Sequence, residues 1–333
     1  MLSSLPKLAD KAFILGFFLP TLMLVLAVVG LLCDRPWTHV VWEAALQGDG
    51  WDKLALFVLT VWALAILLML LNHIEFQILE GYRWPLSKVP CLRRRERERF
   101  EALNRPFETL NEQWILSPDS FSDGQKTEWQ RLRRALVTGF PTNPENLLPT
   151  RFGNAIRAFE IYSKNVYGAD SIPLWLHLST VIPKEFQAAL DDARAQVNCA
   201  VNICFFAAIV GFLALARAIT AHDWIALWFS GAAVLAAVIS RLAYLLSIQL
   251  VYAWGDLVKA AFDCFLPALA EKLGYKLPHS GAQREEFWRA VSEQSIYWRP
   301  VIPEQWSPTD KPPPNAEASA RNELRKNSIA FFR

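Results

Sequence analysis

From Leu54 to Leu71 the chain runs 18 residues without a charge, and residues 83–99 then carry seven Lys or Arg against two Glu. As a helix the run is about 27 Å long, close to the hydrocarbon thickness of a bilayer. Backbone groups in lipid must bond within their own segment, so a run of this kind can only be a helix. A dense basic segment directly after it belongs on the cytoplasmic side. The pairing makes the chain an integral membrane protein and orients it.

Three further windows repeat the pattern: Ala12 to Leu32, Cys199 to Ala216, and Trp224 to Ser240. The 53% hydrophobic fraction is concentrated in these windows. The first has Lys7 and Lys11 ahead of it, as a signal peptide would. It is longer than a typical signal core and lacks a small-x-small site before Cys33, which favours a retained helix. The fold expected is an all-α integral membrane protein with four transmembrane helices, near 12–33, 54–73, 197–217 and 224–248, and a helical cytoplasmic insert. Residues 1–73 form an N-terminal hairpin, 74–196 the insert, 197–248 a second hairpin, 249–300 a helical extension and 301–333 a proline-rich flexible tail. Both termini then face the cytoplasm. The loop from Asp34 to Lys53 is net acidic and carries Trp37, Trp42 and Trp51, which suit the outer headgroup boundary, with a short interfacial helix expected in its middle.

The cations Arg83, Lys88, Arg93, Arg94, Arg95, Arg97 and Arg99 are candidate contacts for anionic lipid. A net charge of only +2 and the lack of an aromatic platform argue against nucleic acid as a partner. Beyond them the sequence predicts a mostly polar helical region from Phe100 to Phe140. Ser122 or Asp123 caps a helix through Arg134, with Trp129, Leu132 and Leu136 as a packing stripe. Thr150 is a candidate N-cap for the next helix. On that helix Arg151, Arg157 and Glu160 form a candidate cytoplasmic surface, either binding an anionic group or simply salt-bridged to one another. Residues 172–178 form a short apolar helix able to lie against lipid, Pro183 opens the third long helix, and Pro267 weakens the fourth.

Four features together resemble an uncharacterised family of bacterial multi-pass membrane proteins: Leu79-Glu-Gly-Tyr82, Leu148-Pro-Thr-Arg-Phe-Gly-Asn154, Tyr167-Gly-Ala-Asp170 and a Tyr- and Ala-rich helix ending near Asp263. The similarity extends from the second span to about Pro278. It implies a membrane architecture and a bacterial origin, and it carries no activity with it.

Asn202, Arg241, His73 and Glu75 are the polar residues in or beside spans. Asn202 can line a permeation path or hydrogen-bond between helices. Arg241 follows 17 uncharged residues and can snorkel, pair within the bundle or serve a pore. Pro20 frees a carbonyl that needs help from a neighbour or a local distortion, which favours a packed bundle over a lone anchor. Ala207 with Gly211, and Ala232 with Ala236 and Ser240, allow close packing within the chain or in a homo-oligomer. The five cysteines are dispersed and no metal-ligand spacing occurs, so neither a disulfide scaffold nor a metal or cofactor is expected. His177, and His222 beside Asp223, do not amount to a catalytic motif. Three functions remain open: a non-enzymatic scaffold or effector with a cytoplasmic surface for an unidentified protein, an oligomeric ion channel or gated pore, and a membrane-embedded enzyme.

Overall fold

The computed structural model describes residues 10–32, 50–117 and 121–297. The expected interfacial helix between the first two spans and the proline-rich tail lie outside the described residues. The described residues are helical, without a β-strand, and four helices are long and apolar enough to cross a membrane. These are α1 (Lys11–Leu32), a helix over Leu54–Glu80 within α2 (Gly50–Glu80), α8 (Lys184–Thr220) and most of α9 (Asp223–Lys272). Between them lie α3 (Pro90–Leu116), α4 (Asp123–Gly139), α5 (Arg151–Glu160), α6 (Tyr162–Tyr167) and α7 (Ser171–Leu178), and α10 (Gly281–Tyr297) follows.

The expected boundaries shift in several places. The helix of the second span does not stop near Asn72 and His73. It continues to Glu80, because the Asn72 amide is buried and donates to Asn198 Oδ1 at 3.3 Å, and Gly81, at φ +89°, ends it. The basic cluster is itself helical, since α3 begins at Pro90, and α4 runs past Arg134 to Gly139. Pro267 sits inside α9 without ending it. By their contacts the described residues fall into two compact units, one within 1–159 and 185–257 and the other within 160–184 and 258–297.

In the first unit, Pro20 sets the contact between α1 and α8. Proline has no N–H to give the carbonyl four residues back, at Gly16. A π-helical stretch, Ile14–Phe18, precedes it, and the Asn202 amide of α8 donates to the Gly16 carbonyl at 2.7 Å. The two helices lie close here, with Asn198 Cβ 3.4 Å from where a Cβ on Gly16 would stand, an ordinary contact distance. Phe13, Phe17, Ala65 and Leu68 close the α1–α2 contact, with Trp62 stacked on Phe13, and Lys11 pairs with Asp192 at 2.7 Å. On α8 and α9 the small residues meet within the chain. A Cβ on Gly211 would lie 3.3 Å from Ala236, and the Ser240 hydroxyl donates to the Cys204 carbonyl at 2.9 Å. The α3–α4 hairpin is held by aromatic contacts, Trp114 with Trp129 and Phe100 with Phe140, and Ser122 forms a capping box with Gln125. Trp129, Leu132 and Leu136 lie on the packed side, as their spacing predicts.

In the second unit, the Tyr167-Gly-Ala-Asp170 stretch is a tight corner. Gly168 adopts φ +75° against the Glu285 backbone, Ala169 is fully buried, and Asp170 N–H donates to Ser292 Oγ at 2.9 Å. Leu174 and Leu178 of α7 are buried and Trp175 meets Phe262, so this face packs in protein while Ile172 and Leu176 stay exposed. Phe287, Trp288 and Val291 form the buried side of α10. The Tyr162 and Tyr167 hydroxyls both donate to Asp263, at 2.9 and 2.8 Å.

Two predictions follow from these contacts. Asn202→Ala orphans the Gly16 carbonyl and is expected to cost about 1–3 kcal/mol. Pro20→Ala restores the N–H, so the double variant should lose clearly less than the sum of the singles, read as a double-mutant cycle of thermal midpoints in one detergent. Burial and the Asp263 carboxylate raise the pKa of both tyrosines above the ordinary phenol value. Because the folded-state values are raised, this contribution is fully present below the unfolded value near pH 10 and is lost as pH rises through the folded values. Tyr167→Phe should therefore flatten the fall in stability above about pH 10 relative to the parent.

Candidate functional site

The functional geometry of the first unit begins where α2 ends. Gly81 packs on Pro149, a contact that leaves no room for a side chain, and Gly153 lies equally close to the Glu80 backbone. Thr150 is the N-cap that its type and position predict, accepting from Gly153 N–H at 2.9 Å while its own hydroxyl donates to the Leu79 carbonyl. Asn154, fully buried, closes the 148–154 turn in both directions. It accepts from Leu148 N–H at 2.7 Å and donates to the Leu148 carbonyl at 3.0 Å. Its amide also reaches Glu96 Oε2 at 3.3 Å.

Glu96 is the one buried carboxylate among the described residues, its side chain 6% exposed. Such a group is stable only with charge and hydrogen bonds supplied. Arg99 pairs with it at 3.0 Å and Arg151 stands at 3.9 Å. Arg99 also lies over the Phe140 ring. Three segments, α3, the 148–150 turn and α5, are thereby tied to the end of α2.

Beside this joint lies a cavity of about 690 Å³. At one end are Arg95, Glu96, Thr150 and Arg151, with Arg241 and Tyr244 of α9. The remainder is mostly apolar, walled by α8 from Cys204 to Leu215 and by α9 from Ala233 to Ser240. Arg241 lies over the Tyr244 ring at 5.5 Å. A second cavity of about 850 Å³ is lined by Lys88, Arg93, Arg94 and Arg97 together with Glu145 and Pro149.

The residues singled out from sequence are distributed unevenly over this geometry. Arg95 and Arg241, far apart in the chain, line the same cavity, and Arg151 joins them. Arg94 is turned to Glu98 at 2.9 Å, Arg99 is committed to Glu96, and Arg83 is exposed outside both cavities. Arg157 and Glu160 line neither cavity, and the Glu160 carbonyl accepts from Ser171. Asn202 is buried against α1, away from the cavity wall. His73 is exposed, whereas Glu75, two residues on and so on a different helix face, keeps Oε2 buried without a hydrogen-bond partner. His177 is exposed, with Nδ1 3.3 Å from the Pro173 carbonyl. No group of three or more His, Cys, Asp or Glu side chains is placed to hold a metal among the described residues, and Cys91, Cys199, Cys204 and Cys264 are free. Sequence reasoning missed Glu96, Asn154 and Asn198. Only the Thr150–Asn154 stretch, with its cap and its short polar side chain, offered a local signal.

Compared with known protein-family models, curated proteins and solved structures, the chain matches none.

Removing the buried carboxylate should separate it from its exposed neighbours in the same run. Glu96→Ala leaves Arg99, Arg151 and Asn154 without their shared acceptor and is expected to cost about 3 kcal/mol. Glu98→Ala, breaking an exposed pair one turn from Arg94, should cost under about 0.5 kcal/mol. Thermal unfolding followed by circular dichroism in a single detergent compares the two.

Proposed function

We propose that the chain is a non-enzymatic scaffold or effector module of a bacterial inner membrane, with both termini and the helical insert on the cytoplasmic side. The observation that carries this reading is the joint at Glu96. It ties the α3–α5 region to the end of a spanning helix, so the surface of the α3–α4 hairpin is presented rigidly rather than tethered. That surface combines exposed Arg93 and Arg97 with the exposed apolar pair Ile115 and Leu116 at the far end of α3. α3 is about 40 Å long, so its apolar end is well separated from its basic start. Apolar side chains rimmed by polar ones suit a protein partner, and the basic start suits anionic headgroups. Nucleic acid is not a partner in this reading, and a homo-oligomer is compatible with it. The resemblance to bacterial multi-pass proteins supports the compartment.

The pore remains the second reading, favoured by one observation, the cavity at Arg241. Asn202 supports it less, since its amide holds Gly16 of a neighbouring helix. The two readings separate in liposomes containing the full chain. A scaffold should give no ion flux above empty vesicles. Flux that falls on Arg241→Gln would replace the scaffold with a pore. A photoreactive residue at position 115 or 116 of the full chain should give discrete protein adducts in a bacterial host. Adducts with lipid alone would overturn recruitment at that surface.

A further inference from the structure

The cavity between α3, α8 and α9 has charge at one end only. Glu96 is already engaged by Arg99, Arg151 and Asn154. The hydroxyls at that end are committed too, Thr150 to the Leu79 carbonyl and Ser240 to the Cys204 carbonyl. Arg95 and Arg241 remain, both exposed to the cavity and neither with an ion-pair partner among the described residues. Two guanidiniums at a mouth whose carboxylate is already engaged by Arg99 and Arg151 favour a bound anion with several acceptor oxygens, the chemistry of a phosphate group.

The rest of the cavity identifies where that anion comes from. From Cys204 to Leu215 on α8, and from Tyr244 back to Ala233 on α9, the walls extend 11 residues, about 16 Å of helix. That is close to half the roughly 30 Å hydrocarbon core, the depth of one leaflet. Ala208, Gly211, Ala233 and Ala237 keep the groove between the two helices shallow-walled, and Phe212 and Leu215 border it. Arg241 itself lies 17 residues from Trp224, about 26 Å along α9, which places its cation at the edge of the core rather than in its middle. A free phosphate would leave this apolar length unused.

We propose that this cavity binds one anionic phospholipid from the leaflet beside α3, with its phosphate between Arg95 and Arg241 and an acyl chain in the α8–α9 groove. The site joins two residues that sequence alone assigned to different roles. It needs only that the four helices be embedded, and it stands or falls apart from the recruitment reading.

The test is native mass spectrometry of the full chain, released from nanodiscs of phosphatidylglycerol or of phosphatidylcholine with identical acyl chains. The parent should retain one phosphatidylglycerol per chain, at least tenfold more than phosphatidylcholine. Arg95→Gln with Arg241→Gln should abolish that preference, and Arg95→Lys with Arg241→Lys should keep most of it, which guards against a misfolded glutamine variant. Ala237→Phe, which fills the groove and leaves both cations, should lower retention at least tenfold. Equal retention of the two lipids by the parent would overturn the proposal. So would displacement of the lipid by millimolar inorganic phosphate, which would make the site one for a free anion. A stable dimer that Ala237→Phe converts to monomer would give the groove to a second copy and overturn it as well.

Discussion

A carboxylate withdrawn from water has few ways to be tolerated, and Glu96 uses nearly all of them at once. It takes charge from Arg99 one turn along its own helix, charge from Arg151 at the start of α5, and a hydrogen bond from the Asn154 amide. Each donor is itself fixed. Asn154 closes the 148–154 turn, Arg151 follows the Thr150 cap, and Thr150 is bonded to the last turn of α2. The relation between a spanning helix and the first half of the insert therefore rests on one buried charge. The cavity beside it inherits its shape from the same contacts.

The four long apolar helices were legible because length and lack of charge are properties of a window, and a long apolar window suits one backbone solution. The caps at Ser122 and Thr150 were legible because capping is local chemistry between residues three apart. Helix ends were harder. Asn72 reads as a terminus by polarity, but a partner on α8, 126 residues away, lets it be buried and the helix go on. Pro267 reads as a weak point, and α9 continues through it to Lys272. Glu96 was illegible for the same kind of reason. It sits in a run of alternating Arg and Glu in which nothing local distinguishes it from Glu98, and its burial is decided by residues more than 50 positions on. The meeting of Arg95 with Arg241 needed the fold.

The small residues of α8 and α9 illustrate how a motif can be right in chemistry and open in meaning. Four-residue spacing announces close approach and leaves the partner unnamed. Here Gly211 meets Ala236, and Ser240 meets Cys204, both inside one chain. With those faces turned to each other, a contact between copies would have to use other surfaces. Beside that seam, small side chains of both helices also line the cavity that Arg241 borders.

The bond between Asn202 and Gly16 spans 186 residues of sequence. At ordinary synthesis rates of about 5–20 residues per second, the first helix is complete for roughly 10–40 s before its partner exists. Throughout that interval the Gly16 carbonyl lacks both the Asn202 amide and the N–H that a residue other than proline would offer from position 20. The pair of helices made first is thus an unfinished object, open on the side that α8 will occupy. Arrival of α8 supplies the donor that the first helix lacks.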